Sequence, residues 1–127
     1  HQMRESAFML TFERIFMDDP VEDMIAAAKE CENIEINDQA AALFRGVDEK
    51  REELDEIIKK HLKNWSISRI SKVSLAVLRV AVYEMKYCDD ISDEIAISEA
   101  VKIAQTYTLK DDVMFVNGVL ASVSKDV

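Results

Sequence analysis

The sequence predicts an all-α fold of six or seven helices, arranged as two small packed bundles. Three observations carry this. Apolar residues recur at helical spacing in nearly every segment, and no strand-like alternation of useful length appears. With 2 Gly and 1 Pro in 127 residues, the chain lacks the turns that a β-sandwich or barrel needs at every strand. A hydrophobic fraction of 49% supplies a core for one domain of this length without covalent staples. The expected domain spans residues 1–127, with an N-terminal sub-bundle over about 1–47 and a C-terminal one over about 48–127.

His1 and Gln2 are left out of the fold prediction, because His1 is not a natural start. Phe8, Phe12, Ile15 and Phe16 form one stripe over residues 3–17. Asp18, Asp19 and Pro20 stop that helix and restart the chain, Pro20 being suited to a first helical turn. Val21, Met24, Ile25 and Ala28 follow at i, i+3, i+4, i+7 over 20–32. Asn37 or Asp38 caps a third helix whose stripe is Ile36, Ala40, Leu43, Phe44 and Val47. Gly46 interrupts the pattern, so a break is expected near 46–48, with a fourth helix running to Leu62. One long kinked helix is the alternative. Residues 63–71 read as a turn, because serines cap well and sit poorly inside helices. Ser71 caps a helix over 72–87 that is apolar nearly all round, which makes it the central post of the fold. Residues 89–92 break the chain before a helix over 93–107. Asp111 or Asp112 caps a last helix reaching Ser124.

The formal charge of −9 weighs at first sight against a polyphosphate partner. Its distribution is uneven. Residues 1–44 hold 3 basic and 10 acidic side chains, and residues 45–56 hold 3 and 6. Residues 57–86 hold 7 basic side chains against Glu84 alone, and residues 87–127 hold 3 against 8. One basic segment therefore lies inside an acidic frame. It is either a solvated face balancing its neighbours or a patch for an anionic partner.

Catalytic chemistry is not legible. Two glycines cannot build a phosphate-cradling loop. His61 sits beside lysines at a helix end, where capping is the simpler role. Asp89, Asp90, Asp111 and Asp112 stand at helix starts, where capping explains them better than acid–base or metal chemistry. Cys31 and Cys88 have no metal-binding spacing and read as reduced core thiols of a cytoplasmic protein. No apolar run reaches the length of a membrane span and no signal peptide opens the chain. No cofactor or metal is expected. Two residues resist a bland role. Phe115 lies about 90° from the centre of its helix's apolar stripe, so its ring is expected to be partly exposed and able to stack a nucleobase, although packing is the other reading. Gly118 stands in mid-helix, which costs about 1 kcal/mol against Ala. Close approach of another helix or of a ligand would explain it.

A set of motifs then becomes recognisable: Lys63-Asn64-Trp65-Ser66, Ile70-Ser71-Lys72-Val73, residues 76–85 (AVLRVAVYEM), residues 96–101 (AISEAV) and Phe115-Val116-Asn117-Gly118-Val119-Leu120. In this order and spacing they resemble the NusB family of bacterial transcription antitermination factors. Arg4-Glu5-Ser6-Ala7 is similar to the family's opening helix, and the likeness is weakest over 18–45. The resemblance implies a non-enzymatic all-α protein of two helical subdomains. It implies binding of boxA-type RNA jointly with NusE, a small-subunit ribosomal protein, within an RNA polymerase antitermination complex that supports ribosomal RNA transcription. Carried over by position, the RNA surface would use Arg4, Lys72, Arg79, Asp111, Asp112, Phe115 and Asn117. Arg79 is equally readable as a buried, paired structural residue. Phe12 and position 74 would face NusE, core packing being the other reading of Phe12. Two departures predict weaker RNA binding by the chain alone: a basic N-terminal arm is reduced to Arg4, and Ser74 replaces an acidic residue. The alternative is a helical protein-binding adaptor, or a homodimer that masks its RNA surface.

Overall fold

The computed structural model describes residues 2–31, 36–62 and 66–126. Among them are seven helices and no strand: α1 (Gln2–Phe16), α2 (Val21–Glu30), α3 (Asp38–Glu49), α4 (Arg51–Lys60), α5 (Lys72–Tyr87), α6 (Asp93–Tyr107) and α7 (Lys110–Asp126).

The all-apolar helix is the centre, as its sequence requires. Ser71 caps it, its hydroxyl accepting from the Ser74 N–H at 3.1 Å. From Ser74 to Val82 every residue of α5 is buried. Helices α1, α3, α4, α6 and α7 all pack against it. The main core gathers Leu54 and Ile58 of α4, Leu78 and Val82 of α5, Ile103 of α6 and Leu120 of α7. A second, smaller core joins Leu10 of α1, Met24 and Ile25 of α2, and Ala40 and Phe44 of α3. Helices α1 and α3 serve both cores: Ala7, Phe8, Leu43 and Val47 belong to the larger one. Asn37 and Ser92 cap α3 and α6 through side-chain bonds to the N–H groups of Ala40 and Ile95.

The structure departs from the sequence prediction in four places. Helix α3 runs through Gly46 to Glu49, and the junction with α4 falls at Lys50. Helix α7 starts at Lys110, so Asp111 and Asp112 sit in its first turn and not at its cap. There their carboxylates still meet the positive end of the helix. Cys31 is exposed and Cys88 half-buried, so neither is a core thiol. Pro20 is the N-cap residue of α2, one place before its first turn. Lys63, Asn64 and Trp65 lie outside the described residues, while residues 67–69 form a turn.

Gly46 is explained by packing. A methyl group placed on it would overlap the hydroxyl end of the Tyr83 ring on α5, so α3 and α5 meet this closely there only because position 46 has no side chain. Gly46→Ala should lower unfolding stability by about 1 kcal/mol net, the overlap outweighing the gain in helix propensity. Urea unfolding of Gly46→Ala, Tyr83→Leu and the double variant checks this. The penalty at position 46 should vanish once Tyr83 is shortened.

Candidate nucleic-acid interface

The turn before α5 and the first turn of α7 enclose a groove of about 270 Å³, lined by Arg69, Ile70, Ser71, Asp111, Asp112 and Phe115. The two helices position it. Ser71 ends the turn because its hydroxyl caps α5, and the buried Ile70 anchors the turn to the core. Val116, Val119, Leu120 and Val123 bury one side of α7, which leaves Phe115 at the margin, half-buried and packed against the main core. Its side chain lines the groove.

The electrostatics are mixed and local. Asp111 is exposed and Asp112 half-buried. Both carboxylates are acceptors held at a helix N-terminus. Arg69, which lines the groove, and Lys72 and Lys110, each next in sequence to a lining residue, are exposed and have no ion-pair partner among the described residues. The N-termini of α5 and α7 both meet at the groove, adding partial positive charge and N–H donors. The arrangement suits a ligand that is flat and carries amino donors at one end and is anionic at the other.

The structure therefore brings together Asp111, Asp112 and Phe115 from the expected RNA set, with Lys72 next in sequence to the lining residue Ser71. Arg69 joins them unpredicted, and Lys110 directly precedes Asp111. The available signal for Arg69 was its place in the basic segment two residues before a capping serine. Three expected residues are placed elsewhere. Asn117 is exposed but lies about 160° around α7 from Phe115. The guanidinium of Arg79 donates two parallel bonds of 2.8 Å to Asp55 of α4 and is 9% exposed, which settles it as a structural ion pair in this fold. Arg4 donates through Nε to both oxygens of Glu84, at 2.8 and 3.1 Å, and its Nη1 lies 4.0 Å from Glu99. Glu84 is 2% exposed, so Arg4 neutralises a buried carboxylate and does not project toward a phosphate.

The two residues expected to face a protein partner also part company. Ser74 is 1% exposed inside the packed centre of α5, out of reach of a docked partner. Phe12 is half-buried between Phe8 and Phe16, with ring centroids 6.4 and 5.2 Å away. It belongs to an apolar surface strip that sequence patterning missed: Phe16 is 62% exposed, Tyr107 packs on Phe8 at 5.1 Å, and Leu109 is 82% exposed. Leu109 follows Tyr107 by two residues and directly precedes Lys110 and Asp111 in the chain. His61 closes α4, with Nδ1 2.7 Å from the Ser122 hydroxyl. Among the described residues no cluster of His, Cys, Asp and Glu could hold a metal ion, and no helix is long and apolar enough to cross a membrane.

Residues 1–125 match the family described as the NusB family. The chain belongs to this family. It is 40% identical over 124 residues to the transcription antitermination protein NusB of Acetivibrio thermocellus, covering 96% of this chain and 86% of that protein. It is 39% identical over 100 residues to the protein of the same name from Clostridium botulinum strain Kyoto, covering 76% and 70%. Among solved structures, NusB of T. maritima superposes with a TM-score of 0.85 at 32% identity, over 98% of this chain and 89% of that one. A structure of the antitermination factors NusB and NusE in complex with double-stranded RNA matches with a TM-score of 0.88 at 26% identity, over 99% and 96%. The NusB family is one of transcription antitermination factors, and its all-α fold is the fold seen here.

The Arg4–Glu84 pair makes a measurable prediction. Burial pushes the Glu84 carboxyl above its ordinary range, and the Arg4 hydrogen bonds pull it back. A carboxyl raised by folding binds its proton more tightly in the native state, so stability falls as pH rises from its ordinary value through the raised one. Arg4→Ala removes the opposing pull and deepens that fall. The variant should lose about 3 kcal/mol near pH 8, and clearly less near pH 5 where Glu84 can take up a proton. Urea unfolding at the two pH values checks it.

Proposed function

We propose that this chain binds boxA-type RNA together with NusE, as a subunit of an antitermination complex on RNA polymerase that supports ribosomal RNA transcription. The observation that carries the RNA half is the groove. It gathers an aromatic ring, two carboxylates and the Arg69 guanidinium at two helix N-termini, with Lys72 and Lys110 next in sequence to its lining residues Ser71 and Asp111. Phe115, which lines the groove, stacks an unpaired base there. Asp111 and Asp112 accept from base amino groups or ribose hydroxyls. Arg69, Lys72 and Lys110, with the N-terminus of α5, hold phosphates, which position the strand without reading it. The chain works by binding alone, in the cytoplasm, with no catalytic step and no cofactor.

The strip from Phe12 and Phe16 to Tyr107 and Leu109 supports the partner half. Contiguous exposed apolar surface of this kind marks protein docking sites. NusE seated there would lie beside the groove, and its own cations would extend the RNA site. A homodimer that covers this strip is the second reading, favoured by the same exposed rings.

A fluorescence titration of boxA-type RNA, with and without NusE, tests the proposal. NusE should tighten binding. Phe115→Ala should weaken it by about tenfold or more, the scale of one lost base–aromatic stack, with the helical circular dichroism signal unchanged. No gain from NusE together with no loss in the variant would overturn the reading. Light scattering across chain concentrations, repeated with RNA present, separates the homodimer: RNA that neither dissociates nor competes with a dimer removes it.

A further inference from the structure

The chain has two mid-helix glycines, and only one has an internal reason. Gly46 is held against Tyr83, whereas a Cβ added at Gly118 would meet nothing within 4 Å. Gly118 is exposed, so neither packing nor backbone conformation within the described chain requires the smallest residue there. The helix penalty of that glycine stands uncompensated. A glycine in such a place is suited to close approach by another molecule.

Its position says which molecule. Gly118 lies about 20° around the α7 axis from Asp111, about 10 Å further along, and about 60° from Phe115. Lys125 continues the same line another turn pair on, again about 20° around and about 10 Å along. Lys125 is exposed and has no ion-pair partner among the described residues. Met114, 64% exposed, borders Gly118 one turn above it and lacks a packing role of its own. The exposed face of α7 thus carries, in order from the groove, a carboxylate, an apolar flank, a gap with no side chain, and a cation.

We infer that the RNA strand does not end at Phe115 but continues along this face of α7, its backbone pressed against Gly118 and a following phosphate held by Lys125. This rests on the RNA reading of the groove and extends its footprint by nearly three helical turns. Met114 lies against the ribose at the flank. The absence of a side chain at 118 lets the ribose-phosphate approach the helix backbone, which a methyl group would prevent. A protein occupant is the competing explanation. Continuity with the groove and the terminal lysine favour nucleic acid.

Gly118→Ala, Gly118→Leu and Lys125→Gln, each compared with Phe115→Ala, test it on the chain with NusE present. Alanine and leucine are better helix formers than glycine, so both position-118 variants should keep or raise the thermal midpoint. RNA binding should fall nonetheless, by about fivefold for Ala and further for Leu, on the scale of a lost backbone contact. Lys125→Gln should reduce the slope of log affinity against log salt by about 0.7, one phosphate's worth for a single strand. Variants that are as stable as the parent and bind RNA equally well would overturn the inference. So would position-118 variants that weaken NusE binding in the absence of RNA. Failure of the unmodified chain to bind RNA, or indifference to Phe115→Ala, would instead strike the underlying reading of the groove and take this inference with it.

Discussion

A helix that is apolar on every side can exist in water only if other helices enclose it. That constraint on α5 organises the rest of the molecule. Five helices pack around it, and each contributes one apolar stripe to the enclosure. The enclosure has one point of very close approach, Gly46 against Tyr83, and two places where charge was carried inside with its partner, Arg79 with Asp55 and Arg4 with Glu84. Both pairs join α5 to a surrounding helix. They fix which helix lies where, a role that uniform hydrophobic burial fills poorly. The groove is a consequence of the same enclosure. It forms where the cap of α5 meets the first turn of α7, so the candidate RNA site is built on the ends of two anchored elements.

The helices were legible because each one carries a stripe, and the stripe's period is a local property. The central position of α5 was legible for the same reason. Apart from one-residue shifts of helix starts at Pro20 and Asp111, the misread points depend on contacts far apart in sequence. Gly46 looks like a helix break from its neighbours alone, and only the Tyr83 ring, 37 residues on, shows why a glycine continues the helix. The same holds in the candidate site. Phe115 could be placed at the margin of its stripe by angle alone, and Asp111 and Asp112 at a helix start by chain order. Whether an arginine faces solvent or a buried carboxylate is set by a partner 80 residues away for Arg4 and 24 for Arg79, and periodicity carries no record of it. Ser74 was misjudged for a related reason. Its burial follows from α5 being covered on all sides, a tertiary fact.

Family membership and local chemistry bear on different parts of the reading. Residues 1–125 match the NusB family, which accounts for the fold and for the antitermination role of the family. The match says nothing of which side chains this particular chain presents. Here the groove draws its cations from the turn and the two helix starts, at Arg69, Lys72 and Lys110, while Arg4 is engaged inside. At the groove, the positive charge available to a phosphate therefore comes from the turn and the two helix starts and not from α1.

The uneven charge has a kinetic side. A surface that is acidic almost everywhere repels bulk nucleic acid at distances up to about a Debye length, ~8 Å at physiological salt. Sliding and loose capture on arbitrary RNA or DNA, which depend on broad basic faces, are suppressed for such a particle. Encounters are favoured where a strand meets exposed cations such as those at the starts of α5 and α7. The acidic frame thus acts as a filter on collisions, keeping the chain in free diffusion amid a large excess of irrelevant polyanion.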